Sequence, residues 1–279
     1  MANGEHHVMK LETVTLTIPG LSRKYTFYHT SDCHLAFAAP DEGEVAMARA
    51  EEHTRAWSYT GLLPADAMKQ VLQMAQQDEA DGLFLCGDVA DYWSKGTLQA
   101  VREALASTST PVFYVCGNHE RLGVEPDDSR DFYPDYRDLM HGEPSCWVQD
   151  LGEFLIVGVD DGDKKIRQQQ LDRLEELFAM GKPILLLIHI PILTEAVSGP
   201  VKQKWGEDGP DYFLLGKPED TALSRRFCQM LADPKAPIAA VFAGHIHLPH
   251  AGEIIPGRMQ YISGPAFEGV IRKYILEAE

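Results

Sequence analysis

The chain has 279 residues, 44% of them apolar, which is enough to bury a sizeable core and excludes both disorder and a disulfide-held miniature fold. Its 25 basic residues against 42 acidic ones leave a formal charge of −17, which excludes general coating of nucleic acid and adsorption to anionic membranes. Phosphate chemistry survives this test, because bound metal cations would be the largest charges in any one pocket.

In chain order, the opening MANGEHHVMK lacks the basic and apolar regions of a secretory signal and reads as a frayed tail with His6 and His7 in solvent. Strands are predicted over 14–18 and 25–30, followed by an acidic, alanine-rich stretch at 35–61 that resists either periodicity. A helix over 64–77, with Pro64 in its first turn, precedes a strand at 83–86. The alternation continues with a helix over 95–106, strands at 112–116 and 154–159, and a helix over 168–180 that Gly181 and Pro183 end. After a strand at 184–189, residues 193–220 are rich in Gly and Pro, carry Trp205, Tyr212 and Phe213, and are expected to form a substrate-shaping loop. A helix over 221–231 and strands at 238–243, 259–262 and 270–276 complete the chain.

Short β-rich runs alternating with helical segments specify an α/β fold, and runs that are apolar throughout specify strands covered on both faces. No composition shift marks a boundary, so a single domain over 1–279 is expected. No stretch is apolar for the ~18 residues a membrane span requires. The five cysteines are odd in number and widely spaced, which argues against a disulfide framework and for a reducing compartment. The expectation is a soluble, cytoplasmic protein.

Chemistry-bearing residues fall where strands end. Ser31-Asp32-Cys33-His34 follows the strand at 25–30, and Gly87-Asp88-Val89-Ala90-Asp91 follows the one at 83–86. Gly117-Asn118-His119-Glu120, His189-Ile190-Pro191 and Gly244-His245-Ile246-His247 follow three others. In α/β sheets ligands bind at the carboxyl ends of strands, so these groups are expected to converge. In an extended chain residues two apart point the same way, which would let each D-x-H or H-x-H pair face one ion. The same alternation turns Cys33 away, and Glu120 reads as a supporting or turn residue. An oxygen and imidazole ligand set suits Mn, Fe or Zn. The candidate ligands exceed what one tetrahedral ion uses and fit two adjacent ions, the arrangement that clamps both oxygens of an in-line phosphoryl transfer.

The ordered series Asp32-x-His34, Gly87-Asp88-x-x-Asp91, Gly117-Asn118-His119-Glu120, His189 and Gly244-His245-x-His247 resembles the five-motif signature of the calcineurin-like metallophosphoesterase superfamily. The resemblance implies two mixed β-sheets packed face to face and flanked by helices, a four-layer α/β/β/α sandwich. It implies that Asp32, His34 and His247 bind one metal, that Asn118, His189 and His245 bind a second, and that Asp88 bridges them. A hydroxide between the ions would attack phosphorus. His119 would protonate the leaving oxygen, with Asp91 orienting its ring. Tyr92 stands where the superfamily's protein phosphatases carry a phosphate-gripping Arg, and His34 and Asp91 depart from the purple acid phosphatase pattern. The implied enzyme is a dinuclear phosphoesterase acting on a small phosphoester, nucleotides included, with phosphodiesters favoured. A phosphomonoesterase, a nucleotide or nucleotide-sugar pyrophosphatase and a catalytically inactive scaffold are the alternatives.

Overall fold

The computed structural model describes residues 9–125 and 133–278, so the tail with His6 and His7 lies outside the described residues. The first half contains β1 (Lys10–Thr17), β2 (Tyr25–Thr30), α1 (Gly43–Ala56), α2 (Pro64–Gln77), β3 (Gly82–Cys86), α3 (Lys95–Ala106) and β4 (Val112–Val115). Then follow β5 (Cys146–Asp150), β6 (Leu155–Val159), α4 (Gln168–Ala179), β7 (Ile184–Leu187), α5 (Glu195–Trp205), α6 (Gly209–Phe213) and α7 (Ala222–Leu231). The chain closes with β8 (Ile238–Ala243), β9 (His250–Ile255), β10 (Arg258–Ile262) and β11 (Val270–Glu277).

The period of two along each strand sorts side chains into layers. In β3, Phe84 and Cys86 enter a central cluster while Leu83 and Leu85 enter an outer one. In β7, Leu185 and Leu187 join the same central cluster while Ile184 and Leu186 face the opposite outer one. The central cluster is the seam between two mixed sheets, one ordered β1-β11-β2-β3-β4 and the other β5-β6-β7-β8-β10-β9. Phe27, Phe84, Phe154 and Phe242 fill this seam, fully buried, each contributing on the order of 1.5–3 kcal/mol through burial.

Helices cover the outer faces. In α2, Ala67, Met68, Val71, Leu72 and Ala75 recur at helical spacing and pack on the first sheet. In α4, Leu171, Leu174 and Leu177 do the same on the second sheet. This is the four-layer α/β/β/α sandwich implied by the motif series. No helix among the described residues is long and apolar enough to cross a membrane. All five cysteines are free, and Cys33 is buried against Met68, away from the polar end of the sandwich.

Two expectations need correction. The stretch 35–61 holds α1, and the expected loop at 193–220 folds mostly into α5 and α6. α1 buries only Ala46 and Ala50, too narrow a stripe to register as helical periodicity. α5 carries Pro200 inside it, which removes one backbone hydrogen bond, yet Val197 and Val201 are fully buried and Thr194 caps its start through the Val197 amide. The unpredicted β5 and β9 are the two edges of the second sheet. β9 is only partly buried, so it lacks the apolar run that marks a central strand.

Candidate metal centre

β2, β3 and β4 run parallel in one sheet, and β6, β7 and β8 run parallel in the other. Their carboxyl ends meet across the seam. The Asp32 amide donates to the Gly87 carbonyl (2.9 Å), the His189 ring Nδ1 donates to the Cys86 carbonyl (2.8 Å), and the His245 amide donates to Asp32 Oδ2 (3.0 Å). Gly117 has no room for a side chain, since a Cβ there would strike Asp88 Oδ1.

The backbone reason for the D-x-H and H-x-H spacing differs from the extended geometry expected. Asp32, His34, Asp88, His245 and His247 all have left-handed φ values, 52°, 50°, 52°, 70° and 49°. They are five of the seven non-glycine residues with positive φ among the described residues. Such conformations cost on the order of 1–3 kcal/mol each and persist only where the surroundings over-determine them. Here, a left-handed turn at each ligand candidate redirects its side chain into the seam's end.

Two groups of side chains result. Asp32, His34 and His247 place ligand atoms within 4.8 Å of one another, and so do Asp88, His189 and His245. In the first, His34 Nε2 lies 3.2 Å from His247 Nε2, and Asp32 Oδ1, which accepts no hydrogen bond, lies 3.3 Å from His247 Nε2. In the second, His189 Nε2 lies 3.2 Å from Asp88 Oδ2, 3.1 Å from His245 Nδ1 and 3.0 Å from Asn118 Oδ1. His245 Nε2 is buried without a partner. Because His34 Nδ1 donates to Asp91 and His189 Nδ1 to Cys86, the Nε2 atoms of both rings present lone pairs to other lone pairs. Such mutually facing acceptors fit cations seated between them.

Without a cation, protons take that place. Burial disfavours a charged His189, but the carboxylate of Asp88 outweighs it and raises the imidazole to about 10. Burial likewise works against an ionised Asp32, and the attraction of His247 outweighs it, lowering the carboxyl to about 2. The Asp88 charge acts on His34 as well as on His189, so Asp88 stands electrostatically between the two groups.

His119 sits at the rim. Its Nδ1 lies 2.8 Å from the Asp91 carbonyl oxygen and 2.9 Å from Asp91 Oδ1, and its amide donates to Asp88 Oδ1 (2.9 Å). Asp91 Oδ1 also accepts from His34 Nδ1 (2.7 Å), while Oδ2 is held by His53 of α1. Trp57 stacks on the His34 ring at 4.1 Å and packs on Phe267. Trp205, stacked on Phe213, also lies near His247, their rings 6.1 Å apart.

Nothing in the sequence marked His53 and Trp57, since the narrow apolar stripe of α1 conceals the helix that carries His53 and ends at Trp57. Two buried carboxylates act as clamps, Glu120 in keeping with its reading as a supporting residue and Asp161 unforeseen. Glu120 accepts from the amides of Asp88 (3.0 Å), Val89 (2.7 Å), Ala90 (3.1 Å) and Gly117 (2.7 Å) and from the Tyr114 hydroxyl (2.6 Å). Asp161 accepts from the amides of His189 (2.9 Å) and Ile190 (3.1 Å), and burial raises its carboxyl to about 7. Its signal was present: Asp160-Asp161-Gly162 follows β6 as Gly87-Asp88 follows β3. Replacing Glu120 by Ala strands four buried amides, and is expected to cost at least about 3 kcal/mol in urea unfolding. An unchanged midpoint would refute the clamp.

Two packed mixed sheets thus bring this ligand set and an oriented histidine to one edge of the molecule. The chain belongs to the calcineurin-like phosphoesterase family, whose family model matches residues 25–249. A probable cyclic nucleotide phosphodiesterase of Fibrobacter succinogenes is 29% identical over 117 residues, 41% of this chain and 44% of that protein, so less than half of that relative's length is matched. Among solved structures, a dimetal phosphatase from Danio rerio aligns with a TM-score of 0.55 at 13% identity, covering 89% of this chain and 91% of the other. A purple acid phosphatase from yellow lupin seeds aligns at 0.52 and 17% identity, covering 91% of this chain and 46% of the other. At these identities the likeness is one of fold.

Proposed function

We propose that the chain, acting as a single domain, hydrolyses a phosphodiester at a dinuclear metal centre. Asp32, His34 and His247 hold one cation, Asn118, His189 and His245 hold the other, and Asp88 serves both. The observation that carries this reading is the pair of lone-pair clusters sharing Asp88. The oxygen and imidazole set suits Mn or Fe, with Zn as the alternative. When bound, the cations supply Lewis acidity toward the phosphoryl oxygens and lower the pKa of water.

The chain's own residues supply the rest. His119 Nδ1 is committed to Asp91, which leaves Nε2 to carry a proton to the leaving oxygen. Burial opposes protonation of that ring, but Asp88 and Asp91 outweigh it and raise the imidazole to about 10 in the cation-free chain. Asp91 is fixed in turn by His34 and His53, so the donor is pre-aimed. The rings of Trp57 and Trp205 both lie near His247, which favours a planar leaving or retained group such as a nucleoside. The name of the Fibrobacter relative points the same way.

The deciding assay compares bis(p-nitrophenyl) phosphate with p-nitrophenyl phosphate on chelator-stripped protein reloaded with Mn²⁺. Metal-dependent turnover with the diester preferred is the expected result, and a monoester preference would move the chain to the phosphomonoesterases. Absence of turnover on both would favour the inactive scaffold. Binding also has a thermal readout. Mn²⁺ at a hundredfold excess over its Kd should stabilise the stripped protein by about 2.7 kcal/mol per site, seen as a rise in Tm by calorimetry. An unmoved Tm would mean that the clusters do not select a divalent ion.

A further inference from the structure

Two lysines near the centre hold backbone carbonyls rather than carboxylates. Lys217 is 9% exposed, and its Nζ donates to the Asp211 carbonyl oxygen. Lys164 donates to the Tyr212 carbonyl and lies 3.5 Å from the same Asp211 oxygen. Two ammonium groups therefore crowd one carbonyl oxygen, and among the described residues neither makes an ion pair. Burial and the charge of Lys217 lower the Lys164 ammonium to about 8 against the more distant pull of Asp220, Asp161 and Asp211. In a chain of charge −17, a buried Lys217 and a partly buried Lys164 on one carbonyl oxygen are an unusual concentration of positive charge.

Lys164 lies near the second ligand group, where its charge acts on His245, and Lys217 joins it through the Asp211 carbonyl. Lys164 follows Gly162, whose backbone presses on Gly117 and Asn118 so closely that a Cβ would strike the Gly117 carbonyl. Its other contact, Tyr212, precedes Phe213, whose ring stands 5.5 Å from that of His245. Lys164 itself is held in a left-handed conformation, φ 60°, which directs it across from the loop after β6 to α6.

We infer that Lys164 and Lys217 form an anion subsite beside Asn118 and His245 that receives a second phosphate group carried by the ester substrate. The inference rests on the phosphoester-hydrolase reading above and narrows it to substrates with a second phosphate besides the ester that is cleaved. A phosphate oxygen there would accept from both ammonium groups and relieve their mutual repulsion.

Two measurements test this on the full-length, Mn²⁺-loaded protein. In the first, sodium sulfate is compared with sodium chloride at matched ionic strength by calorimetry. The wild type should gain about 2–4 °C in Tm from sulfate beyond what Lys164→Gln and Lys217→Gln gain. Lys164 is only partly buried, so its variant keeps the test open if Lys217→Gln fails to fold. An equal sulfate gain in wild type and Lys164→Gln would reject the subsite, leaving the two lysines as loop fasteners or the sulfate effect as an adventitious ion only. In the second, thymidine 5′-(p-nitrophenyl phosphate) is compared with its 3′-phosphorylated form. The wild type should show a KM at least ~10-fold lower for the phosphorylated ester, and Lys164→Gln should erase that ratio. Equal KM values in the wild type would overturn the substrate assignment. If neither ester is cleaved, the hydrolase reading fails while the sulfate comparison still decides the subsite.

Discussion

Asp88→Asn protein is expected to retain at most one firmly held cation per chain and to lose at least ~10²-fold in turnover of bis(p-nitrophenyl) phosphate. The expectation follows from where Asp88 stands. Its Oδ1 accepts from the His119 amide (2.9 Å), its Oδ2 faces His189 Nε2 (3.2 Å), and its charge acts on His34 in the other group. Asn has the same shape and preserves the left-handed backbone, which Asn tolerates better than most residues, so the fold should survive. What changes is the charge and one oxygen. An amide nitrogen in the place of either oxygen brings donors where the site offers only acceptors to a cation. Metal analysis after gel filtration separates the outcomes. Two ions retained at wild-type affinity would remove Asp88 from the shared position and leave each group to bind alone.

The sandwich was legible in the sequence wherever strands are buried on both faces. The residues of β3, β7 and β8 form short apolar runs with an Asp or His two residues after them, and those runs matched the observed strands within about a residue or two at each end. Elements with little burial were not legible. β5 and β9 pair on one side only, and β9 alternates partly buried with exposed residues, so neither presents an apolar run. α1 and α5 failed for opposite reasons. α1 is amphipathic too weakly, while α5 contains Gly199 and Pro200, residues that ordinarily end a helix.

At the candidate metal centre, which side chains come together was readable and the backbone geometry was not. All seven ligand candidates come together in two groups, yet the D-x-H and H-x-H pairs and Asp88 work through left-handed turns rather than extended chain. That distinction lies in φ angles that no side-chain pattern encodes when the residue is Asp or His rather than Gly. Supporting groups from distant segments were the other gap. His53 reaches Asp91 from a helix 38 residues earlier in the chain, and only the packing of α1 over the strand ends joins them. Asp161, by contrast, obeyed the same rule as Asp88 and was passed over because it belongs to none of the five motifs.

His119→Asn is the sharper test, because it separates proton transfer from metal binding. His34, Asp91 and His119 also place ligand atoms within 4.8 Å of one another, so a third cation seat is the rival reading of this residue. The hydrogen bonds argue against it. Both His34 Nδ1 and His119 Nδ1 point at Asp91, and a carboxylate that accepts two N–H groups has protons where a metal would sit. Those bonds, with that from His53, hold the Asp91 carboxyl well below the usual carboxylate range despite the opposing effect of burial. His119→Asn should therefore keep its cations and lose ~10²–10⁴-fold in kcat, the ordinary worth of a positioned general acid. The loss should depend on the leaving group. p-Nitrophenolate departs unprotonated near neutral pH and needs little help, whereas an alkoxide needs the proton in the transition state. The variant should accordingly be impaired more on a diester that can expel only an alkoxide, such as 3′,5′-cyclic AMP, than on bis(p-nitrophenyl) phosphate. Equal losses on both would assign His119 to phosphoryl charge stabilisation instead of proton donation, and a loss of metal would return it to the ligand set.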